Sequence, residues 1–105
     1  MIARTWRGVT SNEHANEYVD YLEETGVREY EATEGNQGVY VLRRALDDRT
    51  EFLLVSLWDS MEAVEAFAGP RPEQAVFYPE DQKYLIEADR SVEHYEVVGM
   101  RRGAP

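Results

Sequence analysis

Thr50-Glu51-Phe52-Leu53-Leu54-Val55-Ser56-Leu57-Trp58, running straight into Asp59-Ser60-Met61-Glu62, decides the fold. The first part is aliphatic, aromatic and β-branched, the composition of a strand. Its middle, Phe52-Leu53-Leu54-Val55, is apolar on both faces, as in a central strand covered on two sides. Asp59-Ser60-Met61-Glu62 supplies the oxygens that satisfy the free N–H groups opening a helix. Met61, Val64, Phe67 and Ala68 then recur at helical spacing until Gly69-Pro70 ends the run.

Upstream, Val39-Tyr40-Val41-Leu42 begins a strand reaching about Ala45, and Asp47-Asp48-Arg49 reverses the chain, so residues 39–58 form an antiparallel hairpin. Before it, Ile2 to Val9 reads as a strand. Thr10 to Glu13 forms a capping box, and Ala15, Tyr18, Val19 and Leu22 form the apolar stripe of a helix, with Gly26 as its left-handed cap. Val27 to Thr33 looks extended, and Glu34 to Gly38 is a flexible turn. After the second helix, residues 71–90 are irregular, with one or two short helical turns, and Pro79 keeps Tyr78 out of helical geometry. Val92 to Val98 is the last strand. The order is β-α-β-β-α-β: a ferredoxin-like α+β domain over residues 1–100, an antiparallel four-stranded sheet with helices on one face, and a tail at 101–105.

Alternation sorts strand residues into two sets without deciding which set faces the helices. In the third strand these are Phe52, Leu54, Ser56, Trp58 and Leu53, Val55, Leu57. The second is uniformly aliphatic, as a helix-packing face should be; the first suits a partly polar cavity. In the first strand Arg4 and Trp6 share a face, and in the last His94 and Glu96 do. Because neither face can stay wet, the sheet is expected to pair with a second copy, and two facing sheets would enclose a cavity in each protomer.

Composition excludes several classes. A net charge of -10, from 21 acids against 11 bases, repels nucleic acid and anionic membranes. With no cysteine there is no disulfide, thiolate metal site or cysteine nucleophile. Ile2-Ala3-Arg4-Thr5-Trp6 carries no apolar run of signal-peptide length, nothing approaches a membrane span, and the expected compartment is the cytoplasm. No phosphate loop or nucleophile elbow is present.

Leu57-Trp58-Asp59-Ser60-Met61-Glu62-Ala63, followed by Phe67-Ala68-Gly69, resembles the strand-to-helix junction of the antibiotic biosynthesis monooxygenase-like proteins, members of the dimeric α+β barrel superfamily. Ala75 to Asp81 and Val92 to Val97 are similar to the matching later segments, so the likeness covers about residues 2–98. It implies a homodimer joined through the sheet face, with a small apolar or aromatic ligand in the barrel. The family's enzymes include cofactor-independent oxygenases of anthrone-like polyphenols, haem-degrading enzymes and quinol oxygenases. In the cofactor-free branch a phenol loses a proton, its anion gives an electron to O2, and a peroxide collapses to a quinone. That branch is associated with a cavity asparagine and tryptophan, whereas asparagine occurs here only at Asn12, Asn16 and Asn36. The haem-degrading branch uses a histidine in the second-helix region, and none lies between Trp58 and His94, which disfavours haem.

Within that resemblance, His94 is the candidate general base, an imidazole with an ordinary pKa of roughly 6.5. Its other reading is a hydrogen-bonded histidine at the dimer seam. Tyr78 is the second candidate catalytic residue, donating to a substrate oxygen or else plugging the barrel end. Arg4, Trp6, Trp58 and Phe52 are the candidate substrate-binding residues. Arg4 would hold a phenolate or pair with one of the 21 acids, and Trp58 is equally a core residue. His94 and Glu96 are too few ligands for a metal, and no cofactor is expected. The leading expectation is a cofactor-independent monooxygenase of a small aromatic or quinol-like compound. The alternative, favoured by the missing asparagine, is a non-catalytic dimeric ligand-binding or assembly module.

Overall fold

The computed structural model describes residues 1–104; Pro105, the end of the expected tail, lies outside them. Strand β1 (Ile2–Ser11) runs through the middle of an antiparallel sheet. On one side it pairs along its length with β3 (Arg49–Trp58), which pairs in turn with β2 (Asn36–Leu46). On the other side β5 (Glu93–Glu96) covers Ile2 to Thr5, and β4 (Leu85–Ala88) covers Gly8 to Thr10. Two short strands thus share the place expected for one, and the sheet has five strands instead of four. The ferredoxin-like architecture stands.

Helices α1 (Ala15–Glu24), α2 (Gly26–Ala32), α3 (Met61–Ala68) and the single turn α4 (Asp81–Tyr84) connect these strands. The Ser60 hydroxyl caps α3 by accepting from the Ala63 N–H at 3.2 Å, and Gly69, at φ +87°, ends it. The first cap falls one residue later than expected. Thr10 stays in β1, paired with Thr50, and Ser11 accepts from the His14 N–H at the 3-10 turn preceding α1. Gly26 is not a left-handed cap: the break comes at Thr25, and Gly26 opens α2. The segment expected to be extended, Val27 to Thr33, is therefore helical up to Ala32. It is anchored by Tyr30, whose buried ring packs 4.7 Å from Phe67 and 5.9 Å edge-on to Trp58.

The two faces of β3 are used in the opposite sense to the aliphatic argument. Phe52, Leu54, Ser56 and Trp58 are buried beneath the helices, with Phe52 5.0 Å from the Tyr18 ring. The two rings are the bulkiest groups on the strand and remove the most apolar area from water there, each contributing roughly 1.5–3 kcal/mol or more. Leu53, Val55 and Leu57 lie on the uncovered face, where Tyr40 is 61% exposed, Leu42 46%, Leu53 38% and Tyr95 57%. On that face Glu51 accepts from the Nε groups of Arg44 and Arg7, each at 2.5 Å, and the two guanidiniums hold its carboxyl below the usual range. Among the described residues no helix is long and apolar enough to cross a membrane.

Gly35 ties the hairpin to α3. It sits at φ +92°, its carbonyl accepts from the Asp59 N–H at 2.8 Å, and a methyl carbon added there would come 2.6 Å from Ala63 Cβ. Gly35→Ala is expected to cost about 1–3 kcal/mol through the left-handed backbone and the contact together. Urea denaturation checks this, and a loss below about 0.5 kcal/mol, the size of an ordinary surface substitution, would contradict it.

Candidate functional site

Alternation along β1 puts Arg4 on the helix-covered face, and the pairing register places Ser56 of β3 on one flank and His94 of β5 on the other. A polar row therefore crosses a face that is otherwise packed with rings. Ser56 is spoken for: it accepts from Trp58 Nε1 at 2.9 Å and donates to the Arg4 carbonyl at 3.4 Å. Arg4 is only 3% exposed. Its Nη1 donates to the Pro72 carbonyl and, at 3.0 Å, to His94 Nε2, while Nη2 donates to the Gln74 carbonyl at 3.0 Å. The guanidinium carbon lies 5.9 Å from the centre of the Phe67 ring. Every one of these partners is neutral, and among the described residues Arg4 makes no ion pair. Burial lowers its pKa from the ordinary value, with Tyr30 acting the other way, yet an arginine remains a cation.

That charge lines a cavity of about 30 Å3 between the sheet and its own helices. Trp6, Tyr18, Tyr30, Phe67, Tyr78 and Asp81 contribute to the same wall. The volume admits a water molecule or two. Beyond Tyr78 and Asp81, which line both spaces, opens a groove of about 730 Å3 with Phe77, Leu85 and Ile86 on its sides. The groove is within the roughly 300–1,000 Å3 of small-molecule sites. The Arg4 cavity lies within one protomer, on the face of β3 where the rings point toward the helices.

Of the residues singled out from sequence, Arg4, Trp6 and Tyr78 line this cavity. Trp6 donates from Nε1 to the Asp89 carbonyl at 2.8 Å, and Tyr78 donates its hydroxyl to Glu29 at 2.7 Å. Burial, followed by that bond to Glu29, pushes the Tyr78 phenol above its ordinary range. His94 stands behind Arg4. Because a guanidinium only donates, Nε2 accepts, and the neutral ring carries its proton on Nδ1. Burial, then the neighbouring Arg4 charge, hold its pKa below the ordinary value. Trp58 is fully buried against Phe67 and Tyr30, and Phe52 is fully buried under Tyr18, so both sit in the core away from the cavity wall. Arg4 pairing with a carboxylate, expected from the excess of acids, does not occur among the described residues.

Sequence reasoning passed over Tyr18, Tyr30 and Asp81. Tyr18 was visible only as part of a helical stripe, and Tyr30 lay in a segment read as extended. Asp81 is 7% exposed, and Oδ2 accepts from the Tyr78 N–H at 2.6 Å. Burial raises its pKa from the ordinary value, against the opposing pull of that backbone bond. Among the described residues no three His, Asp or Glu side chains gather where they could hold a metal ion. Haem does not suit these residues either: neither histidine lines the cavity, and His94 Nε2 is already engaged by Arg4.

The profile of the antibiotic biosynthesis monooxygenases matches residues 3–72. No curated protein matches the chain. Among solved structures, it resembles a Bacillus cereus protein of the antibiotic biosynthesis monooxygenase type at 18% identity, TM-score 0.67, covering 97% of each chain. It also resembles the haem degrader MhuD of Mycobacterium tuberculosis, solved with two haems in its active site, at 20% identity and TM-score 0.58, covering 98% of this chain and 100% of the other. A Nitrosomonas europaea protein of unknown function matches at 13% identity and TM-score 0.65, over 99% and 95% of the two chains. At these identities the structures speak for a shared fold. With the family profile spanning about two thirds of the sequence, the chain belongs to the antibiotic biosynthesis monooxygenase family.

Proposed function

We propose that this domain, residues 1–100, is a cytoplasmic, homodimeric, cofactor-independent monooxygenase acting on a small aromatic or quinol-like compound. The observation that carries the reading is Arg4: a buried guanidinium with only neutral partners, lining a cavity walled by aromatic rings. An anionic oxygen reaching into the cavity from a flat, apolar guest seated in the adjoining groove supplies the missing charge. A preorganised cation in a dry site stabilises developing negative charge far better than water does. Trp6 lines the ring-binding wall, and Tyr78 hydrogen-bonds a substrate oxygen once released from Glu29. His94 orients Arg4; it takes a proton itself only if Arg4 lets go of Nε2. In the net reaction a ring CH2 becomes a carbonyl with one atom of O2, and the other atom leaves as water with the two hydrogens.

The small size of the cavity favours a second reading, a non-catalytic dimeric module that binds a small ligand. Oxygen uptake separates the two. Wild-type protein is expected to accelerate O2 consumption by an anthrone or a hydroquinone, and Arg4→Gln to slow it about 100- to 1,000-fold, the effect of losing one charge-stabilising donor. Uptake at the uncatalysed rate across the panel would leave only the binding module.

The uncovered sheet face supports the dimer, since Tyr40, Leu42, Leu53 and Tyr95 present an apolar patch there. Sedimentation is expected to give a dimer for wild type and a monomer for Leu53→Lys. A wild-type monomer at working concentrations would refute the pairing.

A further inference from the structure

A guanidinium carries five N–H groups. Arg4 uses three of them: two from Nη1, to the Pro72 carbonyl and His94 Nε2, and one from Nη2, to the Gln74 carbonyl. Its Nε–H and the second N–H of Nη2 make no hydrogen bond among the described residues. Nor is Nε sealed in, for the only enclosed side-chain polar atom left without a partner among those residues is His14 Nδ1. Nε therefore borders open space, and the small cavity is the open space that this side chain lines. All three partners of Arg4 are neutral, and no carboxylate pairs with it among the described residues. Two free donors and an uncancelled positive charge thus meet a hollow of about 30 Å3. A water molecule would satisfy the donors and leave the charge, and an aromatic ring does not fit. We propose that this hollow is a binding site for one small, weakly hydrated monovalent anion of the size of chloride or bromide, held by the free N–H groups of Arg4. Such a site goes beyond the monooxygenase reading and does not need it, since an aromatic guest sits in the groove and the ion alone takes the hollow.

The walls select by charge, size and hydration. Taking an ion out of water costs more as its charge rises and its radius shrinks, which penalises sulfate for its double charge and fluoride for its small radius. Trp6, Leu54, Phe67 and Val92 make much of the lining apolar, so the attraction to the guanidinium is stronger than it would be in water. The phenols of Tyr18 and Tyr30 add no negative charge, because burial keeps both protonated. Asp81 is the one carboxylate on this wall, and burial holds its carboxyl above the ordinary range, which lessens its repulsion of an anion. The same Arg4 charge serves the anionic oxygen of a guest in the groove, so chloride and that guest compete for it.

Chlorine NMR of the full chain reads the site without turnover. In sodium gluconate, whose anion is too large for the hollow, wild type is expected to broaden the line of added chloride beyond that of the protein-free solution. Bromide should narrow the line again, and sulfate at equal ionic strength should not. Arg4→Gln is expected to lose the excess width. Because removing a buried arginine can unfold the chain, Val76→Phe is the second variant: it leaves Arg4 in place, fills the hollow from its half-buried wall, and should lose the excess width as well. Wild-type crystals soaked in bromide locate the ion by anomalous scattering, with a peak expected within hydrogen-bond reach of Arg4 Nε. The proposal is overturned if wild type gives no excess width, if sulfate narrows the line as bromide does, if either variant folds and keeps the width, or if bromide peaks lie only on the surface. Excess width without oxygen uptake would sink the monooxygenase reading alone, and uptake without excess width would sink this proposal alone.

Discussion

Arg4 donates to two carbonyls of the segment after α3 and to His94 while almost all of its surface is withdrawn from water. Dehydrating such an ion costs several kcal/mol even after the protein relaxes. Hydrogen bonds to a charged group return about 1.5–3 kcal/mol each. The ion is therefore held, but its charge is not cancelled. Two features follow. The stretch from Pro72 to Gln74 is laid across the sheet by those carbonyls, closing one side of the cavity. The cavity itself acquires a positive wall although the chain as a whole carries -10.

The two faces of the sheet carry different side chains. On the covered side β1 and β3 present Arg4, Trp6, Phe52, Leu54, Ser56 and Trp58 to the helices, so the buried cation and the core share one surface. The other side presents aliphatic and tyrosine side chains with a compact Arg44–Glu51–Arg7 cluster among them. There Glu51 holds the two guanidiniums together, and Glu87 and Asp89 also act on Arg7.

Most of the architecture was legible because local signals agreed with one another. The Ser60 cap, the helix stop at Gly69 and the hairpin turn at Asp47-Asp48 each name their own element, and the structure follows them. What was hidden depends on tertiary packing. Residues 27–33 carry one large apolar side chain on a helical face, Tyr30, and only its seat against Trp58 and Phe67 makes the segment a helix. β4 is four residues long with an exposed Ile86, too short to show alternation. Alternation left the faces of β3 undecided, and the aliphatic set only looked like the helix-packing one, while the bulkier rings bury more area. Arg4 and Trp6 could be placed on one face because alternation fixes strand neighbours, and both line the cavity. Asp81 was missed because one acid among 21 carries no mark until the chain buries it.

If the uncancelled charge of Arg4 defines the site, affinity must follow ligand charge at constant shape. Calorimetric titration with benzoate and with its neutral isostere benzamide reads this directly, in wild type and in Arg4→Gln. The account predicts that wild type prefers benzoate at least about tenfold, equivalent to roughly 1.4 kcal/mol, and that the preference vanishes in the variant. Equal affinities for the two ligands in wild type, or a benzoate preference that survives Arg4→Gln, would contradict it.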